Sequence, residues 1–271
     1  MILEEILKYK EQEIKERKKK FPLEALKDKC EMAPLTRPFA AAINRDDFIS
    51  VIAESKKASP SKGNIVDSYD PVFIISQYEE GGANAISVLT DERYFKGSID
   101  DLVNIKANTK LPVLRKDFII DAYQLYESKA AGADAVLLIA KAISGDKIKE
   151  MLEISFGLYL DVVVEVHDEE ELDGVVGISG IKIIGINNRN LDDFKVDIGT
   201  SEKLLPKIPK GIIKISESGF FSKSDVARIV NAGADAVLVG EALMKAKDKK
   251  EKIKELKIAK HKNERGSFGA A

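Results

Sequence analysis

The sequence has few of the residues that build disulfides and metal sites. Its 271 residues include one cysteine, Cys30, and two histidines, His167 and His261. One cysteine cannot form a disulfide within the chain, which is typical of proteins from a reducing compartment. The cysteine and the histidines also lack the spacing of a zinc site. We therefore expect neither a metal nor a cofactor, although a Mg²⁺ ion held by carboxylates alone stays open.

Long apolar runs and an excess of one charge are also absent. No stretch approaches the roughly 18 apolar residues of a membrane-spanning helix, and the apolar start of the chain gives way to Lys and Glu, unlike a signal peptide. The 43 Lys and Arg residues nearly balance the 45 Asp and Glu residues, so no broad cationic field suited to nucleic acid arises. We expect a cytoplasmic protein that contacts neither membrane nor nucleic acid.

What the sequence does contain is a repeated unit. Gly82–Val88, Gly132–Leu138 and Gly233–Val239 each combine a glycine that stops a helix with an apolar strand. Their first glycines lie 50 and 101 residues apart, close to one and two multiples of a pair of βα units. This spacing predicts a closed βα array, and 271 residues with 44% hydrophobic content suit a single barrel domain.

Eight segments rich in Val and Ile are apolar on both faces, which is typical of parallel strands covered by helices. The predicted strands are Val51–Ser55, Ala83–Leu89, Pro112–Lys116, Asp134–Ile139, Asp161–Val166, Lys182–Ile186, Ile213–Glu217 and Asp235–Val239. Helix starts are indicated at Asp70 and Ser222, and helix ends at Gly81, Gly132 and Gly233. The sequence thus predicts an α/β protein with a (β/α)₈ (TIM) barrel fold.

Extensions are expected at both ends of a barrel core that spans residues 49–247. Residues 1–48 are predicted to form an N-terminal helical extension, in which a helix, the Pro34–Pro38 turn and a short return segment cover one end of the barrel. Residues 248–271 are predicted to form a helix from Asp248 to about Lys262 and a frayed tail. All of these parts, residues 1–271, are assigned to one domain.

Polar residues end several predicted strands, at the end where barrels of this class carry their active sites. They share their strand faces with apolar residues that are expected to line the barrel. A single strand-end Lys or Glu is most simply solvated, but convergence from five strands indicates a site, because burying so many charges otherwise costs free energy. The residues are Glu54, Lys56, Lys116, Glu165, Asn187, Arg189 and Glu217.

A phosphate site is indicated by the loops after the seventh and eighth strands. Ser216–Gly219 and Val239–Ala242 each contain a glycine that lets backbone N–H groups approach an anion, and the second loop opens a helix. Either loop alone fits an ordinary βα turn. The two loops together favour the binding of phosphate.

Six motifs, in order along the chain, resemble the signature of the indole-3-glycerol phosphate synthase family of tryptophan biosynthesis. They are Val51–Gly63, Leu89–Glu92 with Tyr94–Ser98, Leu114–Ile119, Val164–His167, Gly185–Arg189 and Ser216–Gly219. The resemblance covers roughly residues 1–250. It implies a lyase that closes the pyrrole ring of 1-(o-carboxyphenylamino)-1-deoxyribulose 5-phosphate and releases CO₂ and water.

The resemblance also implies roles for individual residues. Lys116 is expected to be the general acid of ring closure and Glu165 a general base of the later dehydration. Lys56 is expected to bind the anionic substrate, with Glu54 as its partner, and the dehydration roles among these three residues stay open. Asn187 belongs to the same catalytic set. Substrate binding is implied for Ser59, Pro60, Phe95, Phe118, Arg189, Glu217 and Ser218, and phosphate binding for Gly219, Gly240 and Glu241.

Three other functions compete with this interpretation. A phosphoribosylanthranilate isomerase is expected to carry a cysteine at the end of the first strand, where this chain has Glu54 and Lys56. A class I aldolase would use Lys116 or Lys56 as a Schiff-base nucleophile. A barrel without catalysis would bind a sugar phosphate only. In every case the expected partner is a small-molecule sugar phosphate. The protein is expected to be a monomer, and weak association with other tryptophan-pathway enzymes stays open.

Three further expectations concern residues within or beside these motifs. Ser55 replaces a larger apolar residue of the family, and strand alternation points it toward the helix layer. His167 follows Glu165 by two residues, which leaves a contact with the site open, but a helix-capping or surface role is favoured. The Ser59–Gly63 segment, with proline and glycine, is a candidate mobile loop over the substrate.

Overall fold

Eight parallel strands close into a barrel in the computed structural model, which describes residues 2–59, 63–64, 69–191 and 194–260. The first strand pairs with both the second and the eighth and so completes the ring. The barrel strands are β1 (Ser50–Ser55), β2 (Ala85–Leu89), β3 (Val113–Lys116), β4 (Ala135–Ile139), β5 (Asp161–Val166), β6 (Ile183–Asn187), β7 (Ile213–Glu217) and β8 (Ala236–Val239). The predicted (β/α)₈ fold is confirmed.

A short antiparallel hairpin, which the sequence did not predict, follows β1. Ala58–Ser59 pairs with Gly63–Asn64. Residues 60–62, at the centre of the segment predicted to be mobile, lie outside the described residues. That expectation therefore stays a prediction.

Helices alternate with the strands around the ring. Those of the described residues are α1 (Ile2–Lys20), α2 (Leu23–Met32), α3 (Phe39–Ile43), α4 (Pro71–Glu80), α5 (Glu92–Phe95), α6 (Ile99–Asn108), α7 (Ala122–Ala130), α8 (Gly145–Gly157), α9 (Glu169–Val175), α10 (Gly199–Leu204), α11 (Lys223–Asn231), α12 (Glu241–Lys245) and α13 (Lys249–Leu256). Short 3₁₀ turns lie at Ala140–Ala142 and Leu205–Lys207.

The predicted helix boundaries follow from their capping residues. The side chains of Asp70 and Ser222 accept backbone N–H groups at the starts of α4 and α11, as expected. Gly132 and Gly233 follow α7 and α11 with φ of 88° and 93°, a left-handed conformation that glycine adopts without steric cost. Gly81 is itself the C-cap of α4 with φ of −72°, so the left-handed residue there comes one position later.

Strand alternation divides the core into two layers. Alternate strand residues, including Ile52, Leu114 and Val163, are buried inside the barrel, and the residues between them pack against the surrounding helices. Each fully buried side chain of this size contributes about 1.5–3 kcal/mol. Polar residues that continue the inner rows past the last apolar side chain therefore converge at the C-terminal mouth of the barrel.

The N-terminal extension reaches both ends of the barrel. At the mouth, Lys10 of α1 pairs with Asp91 and Asp117, at 2.9 and 3.1 Å, just after β2 and β3. Helix α2 packs on the outside against α7. At the opposite end, α3 lies under the barrel, and Ala40 N donates to Asp161 at the start of β5 at 2.8 Å. One helix covering one end was expected, whereas the structure has three helices.

The chain after the barrel is part of the same core. Ile253 and Leu256 of α13 are fully buried, and Ile49 N donates to Ile258 O at 2.9 Å. The prediction of a helix to about Lys262 is wrong, because this pairing beside β1 takes over after Leu256. Residues 261–271, with the predicted frayed tail, lie outside the described residues. No helix in the ranges described here is long and apolar enough to cross a membrane.

Candidate active site

A cavity of about 370 Å³ opens at the C-terminal mouth of the barrel, a size suited to a small ligand. Its wall contains most of the residues predicted to form the site. These are Glu54, Lys56, Phe95, Lys116, Phe118, Glu165, Asn187, Arg189, Ser218, Gly219, Gly240 and Glu241. Glu217 lies directly behind Lys116, while Pro60 and the side chain of Ser59 lie outside the described part of the chain.

Lys116 ends β3 with its ammonium group between two buried carboxylates. Its Nζ lies 2.7 Å from Glu165 Oε2 and 2.9 Å from Glu217 Oε2. Burial disfavours the charged form of this lysine, but Glu165 and Glu217 outweigh burial and hold its pKa above the ordinary value. Lys116 is therefore a charged proton donor at neutral pH.

The two carboxylates that flank Lys116 differ in their affinity for protons. Burial raises the pKa of both, and for Glu165 the charges of Lys116 and His167 reverse the effect and lower it. For Glu217 burial and the negative charge of Glu165 outweigh Lys116, and the pKa is raised to about 7. Glu217 Oε1 is buried without a hydrogen-bond partner, against Gly185, where any Cβ atom would clash with it.

The interpretation of His167 as a capping or surface residue is wrong. Its side chain is only 7% exposed, with Nδ1 3.0 Å from Glu171 Oε2 and Nε2 3.3 Å from Glu165 Oε1. Burial disfavours the imidazolium, but the two carboxylates raise the pKa of His167 to about 9. The helix cap itself is supplied by Asp168, whose side chain accepts Glu171 N. Glu171 lies four residues after His167, and this spacing could have predicted from the sequence that the two side chains pair.

A second ion pair lies in the cavity wall at the end of β1. Lys56 Nζ is 2.6 Å from Glu54 Oε1, and Glu54 is 3% exposed. Both side chains press against Gly240, where a Cβ atom would clash with Glu54 and come within 2.9 Å of Lys56 Nζ. The absence of a Cβ atom leaves room for this approach, so an anion held by backbone groups near Gly240 would also face the Lys56 ammonium.

The loop after β7 is held in an unusual backbone conformation. Ser218 and Gly219 have φ of 70° and 94°. Asn188, which the sequence analysis missed, donates through Nδ2 to Ser218 O and Ser216 Oγ at 3.0 and 3.1 Å. Ser218 Oγ donates to Asn187 Oδ1 at 2.9 Å. The end of β6 therefore fixes the candidate phosphate loop.

Aromatic side chains form part of the cavity wall. Phe95 and Phe118 lie with ring centroids 6.3 Å apart and planes inclined by 38°. Arg189 Nη1 donates to Phe194 O at 3.1 Å. Apolar lining residues that the sequence did not identify are Leu137, Ile139, Leu191, Phe194, Phe220 and Phe221. The cavity thus joins an apolar slot for a ring to a charged and polar side.

A buried ionic network beside β3 was also missed. Arg115 is fully buried and donates to Asp117 Oδ2 at 3.0 Å and to Glu127 Oε2 at 2.8 Å. Asp117 also accepts Thr90 Oγ1 at 2.6 Å and pairs with Lys10. Burial raises the pKa of Asp117, but Arg115 and Lys10 outweigh it and lower the pKa. The network ties α1 to the strand that carries the central lysine.

Metal binding finds no geometric support in the described ranges. There, no group of three or more His, Cys, Asp or Glu side chains is placed to hold an ion. The cationic side chains that line the cavity include Lys56, Lys116 and Arg189, and His167 lies beside Glu165.

Known proteins similar to this chain share both its sequence and its fold. The family model described as indole-3-glycerol phosphate synthase matches residues 3–256. An indole-3-glycerol phosphate synthase from Trichodesmium erythraeum is 46% identical over 90% of this chain and 84% of its own length. One from Acetivibrio thermocellus is 44% identical over 95% of this chain and 99% of its own length. A thiamine phosphate pyrophosphorylase structure from Pyrococcus furiosus, 18% identical, superposes with a TM-score of 0.58 over 76% of this chain and 93% of its own, a likeness of fold alone.

Proposed function

The chain belongs to the indole-3-glycerol phosphate synthase family, the carboxy-lyases of tryptophan biosynthesis, and we propose how the residues at its barrel mouth share the reaction. The substrate is 1-(o-carboxyphenylamino)-1-deoxyribulose 5-phosphate. The observation that carries the proposal is the Lys116 ammonium, held by Glu165 and Glu217 in the wall of the cavity that the Lys56–Glu54 pair also lines.

Ring closure is assigned to Lys116. The aromatic carbon that bears the carboxylate attacks the ketone carbon, and negative charge develops on the ketone oxygen. The Lys116 ammonium protonates that oxygen, so that a hydroxyl forms and the charge is neutralised. Glu217 contacts Lys116 rather than the cavity and acts as a positioning residue for the ammonium. Loss of CO₂ then returns an electron pair to the ring and restores its aromaticity.

Dehydration is assigned to the remaining charged groups. Glu165 takes the proton from the carbon next to the amine, and the hydroxyl formed in ring closure leaves as water. Lys56 donates the proton that this hydroxyl needs. Its Nζ lies 2.6 Å from Glu54 Oε1. The two glutamates therefore have separate duties, since Glu165 receives a proton and Glu54 orients the donor.

Substrate anchoring follows the two-sided shape of the cavity. The phosphate is assigned to the backbone groups of Gly219, Gly240 and Glu241, with Ser218 beside them. The aromatic ring lies in the slot formed by Phe95 and Phe118. Arg189 and Asn187 are assigned to the ribulose chain at the end of β6. Substrate binding by Ser59 and Pro60 stays a prediction, since the side chain of Ser59 and all of Pro60 lie outside the described residues.

The charge state of Lys116 favours an acid over a Schiff-base nucleophile. A lysine that attacks a carbonyl must first be neutral, whereas Glu165 and Glu217 keep this ammonium charged. The aldolase alternative is disfavoured for this reason.

The test is to mix the protein with the carboxyphenylamino-deoxyribulose phosphate and follow indole fluorescence. We expect turnover without added metal, and a lack of signal from folded protein would refute the proposal. Borohydride treatment with a sugar phosphate, followed by mass spectrometry, is the matched control. An added mass on Lys116 would instead support the aldolase mechanism.

The setting of the enzyme is proposed as well. Residues 1–271 are assigned to one domain that works as a cytoplasmic monomer. A single cysteine supports a reducing compartment, and the eight barrel strands form a closed ring with no edge for pairing with another copy. Sedimentation at several concentrations tests the monomer, and co-sedimentation tests association with other enzymes of the pathway.

A further inference from the structure

We infer that His167 is a positioning residue, which supplies a second positive charge to Glu165 and holds that carboxylate in place for the dehydration step. The inference rests on the proposed function, in which Glu165 is the base. His167 directly follows β5, and its imidazole lies beside the Glu165 carboxylate, which lines the cavity.

The imidazole is fixed between two carboxylates. Glu171 Oε2 lies 3.0 Å from Nδ1 and also accepts the backbone N–H of His167 at 2.8 Å. Nε2 lies 3.3 Å from Glu165 Oε1, in a close charge contact that lacks the alignment of a hydrogen bond. Since both ring nitrogens face carboxylates, the doubly protonated imidazolium fits this position best.

Glu217 provides an internal control for the effect of His167. Both glutamates are 1% exposed and both contact Lys116, at 2.7 and 2.9 Å. They differ in the second oxygen, which faces His167 in Glu165 and has no partner in Glu217. The pKa of Glu165 is lowered and that of Glu217 is raised. Two causes produce this difference, since the His167 charge lowers the pKa of Glu165 and the Glu165 carboxylate raises that of Glu217.

This difference matters during the proposed reaction. When Lys116 gives its proton to the substrate oxygen, it becomes neutral and no longer stabilises the Glu165 carboxylate. A charged His167 remains beside the other oxygen. Glu165 is therefore still ionised when the base of the dehydration is needed.

The charges around His167 define the expected pH dependence. Glu165 faces it from β5 and Glu171 from α9, and Lys116 lies on the far side of Glu165. The Ala140–Ala142 turn that packs against β5 and α9 carries one titratable residue, Lys141. The carboxylates raise the pKa of His167 to about 9, so the second charge is present at neutral pH and is lost above about pH 9.

The pH profile of kcat is the first test. We expect wild-type kcat to fall as the pH rises through about 9, and His167→Gln to lower kcat about tenfold at neutral pH while KM stays within about twofold. In His167→Gln the fall near pH 9 should disappear. Glu171→Gln should shift it toward neutral pH by about one unit or more, since an opposite charge in contact is removed.

The matched control is Glu170→Gln, an exposed glutamate on the same turn of α9, which should retain the wild-type profile. Wild-type profiles in both His167→Gln and Glu171→Gln would overturn the inference. Wild-type protein without turnover would instead refute the proposed function, so the two failures are distinguishable.

A second measurement needs no change at His167. The chain has only two histidines, so His261→Gln leaves one imidazole to follow by NMR in ¹⁵N-histidine-labelled protein. We expect His167 to titrate near pH 9 and at a lower pH in Glu171→Gln. Titration near the ordinary value of 6.5 would overturn the inference, even if His167→Gln did not fold.

Discussion

The two ends of the barrel both bury carboxylates beside lysines, but they satisfy them differently. At the N-terminal end, Asp134 accepts Val113 N at 2.7 Å, Arg37 N at 2.6 Å and Lys106 Nζ at 2.5 Å. At the mouth, Glu165 and Glu217 share one ammonium, and an oxygen of Glu217 is buried without a hydrogen-bond partner. At the N-terminal end the buried carboxylate accepts several hydrogen bonds, whereas at the mouth two buried carboxylates share one ammonium group.

This contrast separates stability from function along the barrel axis. Backbone N–H groups cannot move away from Asp134, so its hydrogen bonds hold β3, β4 and the extension together permanently. The groups at the mouth are side chains with shifted pKa values, which a substrate can rearrange and which can exchange protons. Substitutions at the two ends should therefore change different measurements.

The largest effect is expected from Lys116→Ala at the mouth. The loss of the general acid should lower kcat at least about a hundredfold, the usual scale of such catalysis, with substrate binding largely kept. Indole fluorescence measures kcat, and KM is obtained from the same data. Lys110→Ala, an exposed lysine before the same strand, is the control. An unchanged kcat in Lys116→Ala would remove this lysine from the mechanism.

At the other end, Asp134→Ala should destabilise the fold and leave catalysis intact. The change orphans two backbone N–H groups and the buried Lys106 ammonium. Breaking a buried pair in this way costs about 3–5 kcal/mol. Urea unfolding measures the loss, and kcat at a temperature where the variant is folded should stay within about twofold. Asp146→Ala, whose side chain is 94% exposed, should change neither quantity. A Lys116-like loss of kcat would break the division between the two ends.

A smaller effect is expected from the unbalanced charge of Glu217. Its pKa rises from 4.5 to about 7 on folding, so the folded protein binds a proton that the unfolded chain releases. The contribution to stability is complete below about pH 4.5 and is lost as the pH rises through about 7. Glu217→Gln should remove about 3 kcal/mol of this pH dependence, measured by urea unfolding between pH 4.5 and 7.5. An unchanged slope would contradict the prediction, and the exposed Glu153→Gln should keep the wild-type slope.

Sequence patterns within single strands and helices predicted the fold and most of the charged residues at the barrel mouth. Alternation along a strand is local, so Ile52, Glu54 and Lys56 reveal the inner face of β1 without any knowledge of the neighbouring strands. Parallel strands then bring equivalent ends together. For this reason Nζ of Lys116 lies 2.7 Å from Oε2 of Glu165, both of them residues that the sequence predicted.

Features that depend on distant partners could not be predicted in this way. Lys10 belongs to an exposed-looking charged helix, and its burial depends on Asp117, more than a hundred residues later. Arg115 points away from the barrel interior, where its partners come from α7. In both cases the decisive contact is tertiary, and the local sequence fits a solvated charge equally well. His167 differs from them, because its partners Glu165 and Glu171 lie within four residues of it and were available as a local signal.

The smallest expected effect tests whether a residue at the mouth must also lie on the inner face of its strand to affect catalysis. Ser55 lies at the mouth end of β1 but points outward, as its parity predicted, with its Oγ 2.8 Å from Tyr69 Oη. Ser55→Ala should cost about 1 kcal/mol of unfolding free energy, the usual net worth of one hydrogen bond, with kcat within about twofold of wild type. Tyr69→Phe should cost a similar amount, and the double variant little more than either one, because all three remove the same bond. A tenfold loss of kcat in Ser55→Ala would mean that the outer face of the mouth also serves catalysis. Unchanged kcat would confine function to the inner row that Glu54 and Lys56 continue.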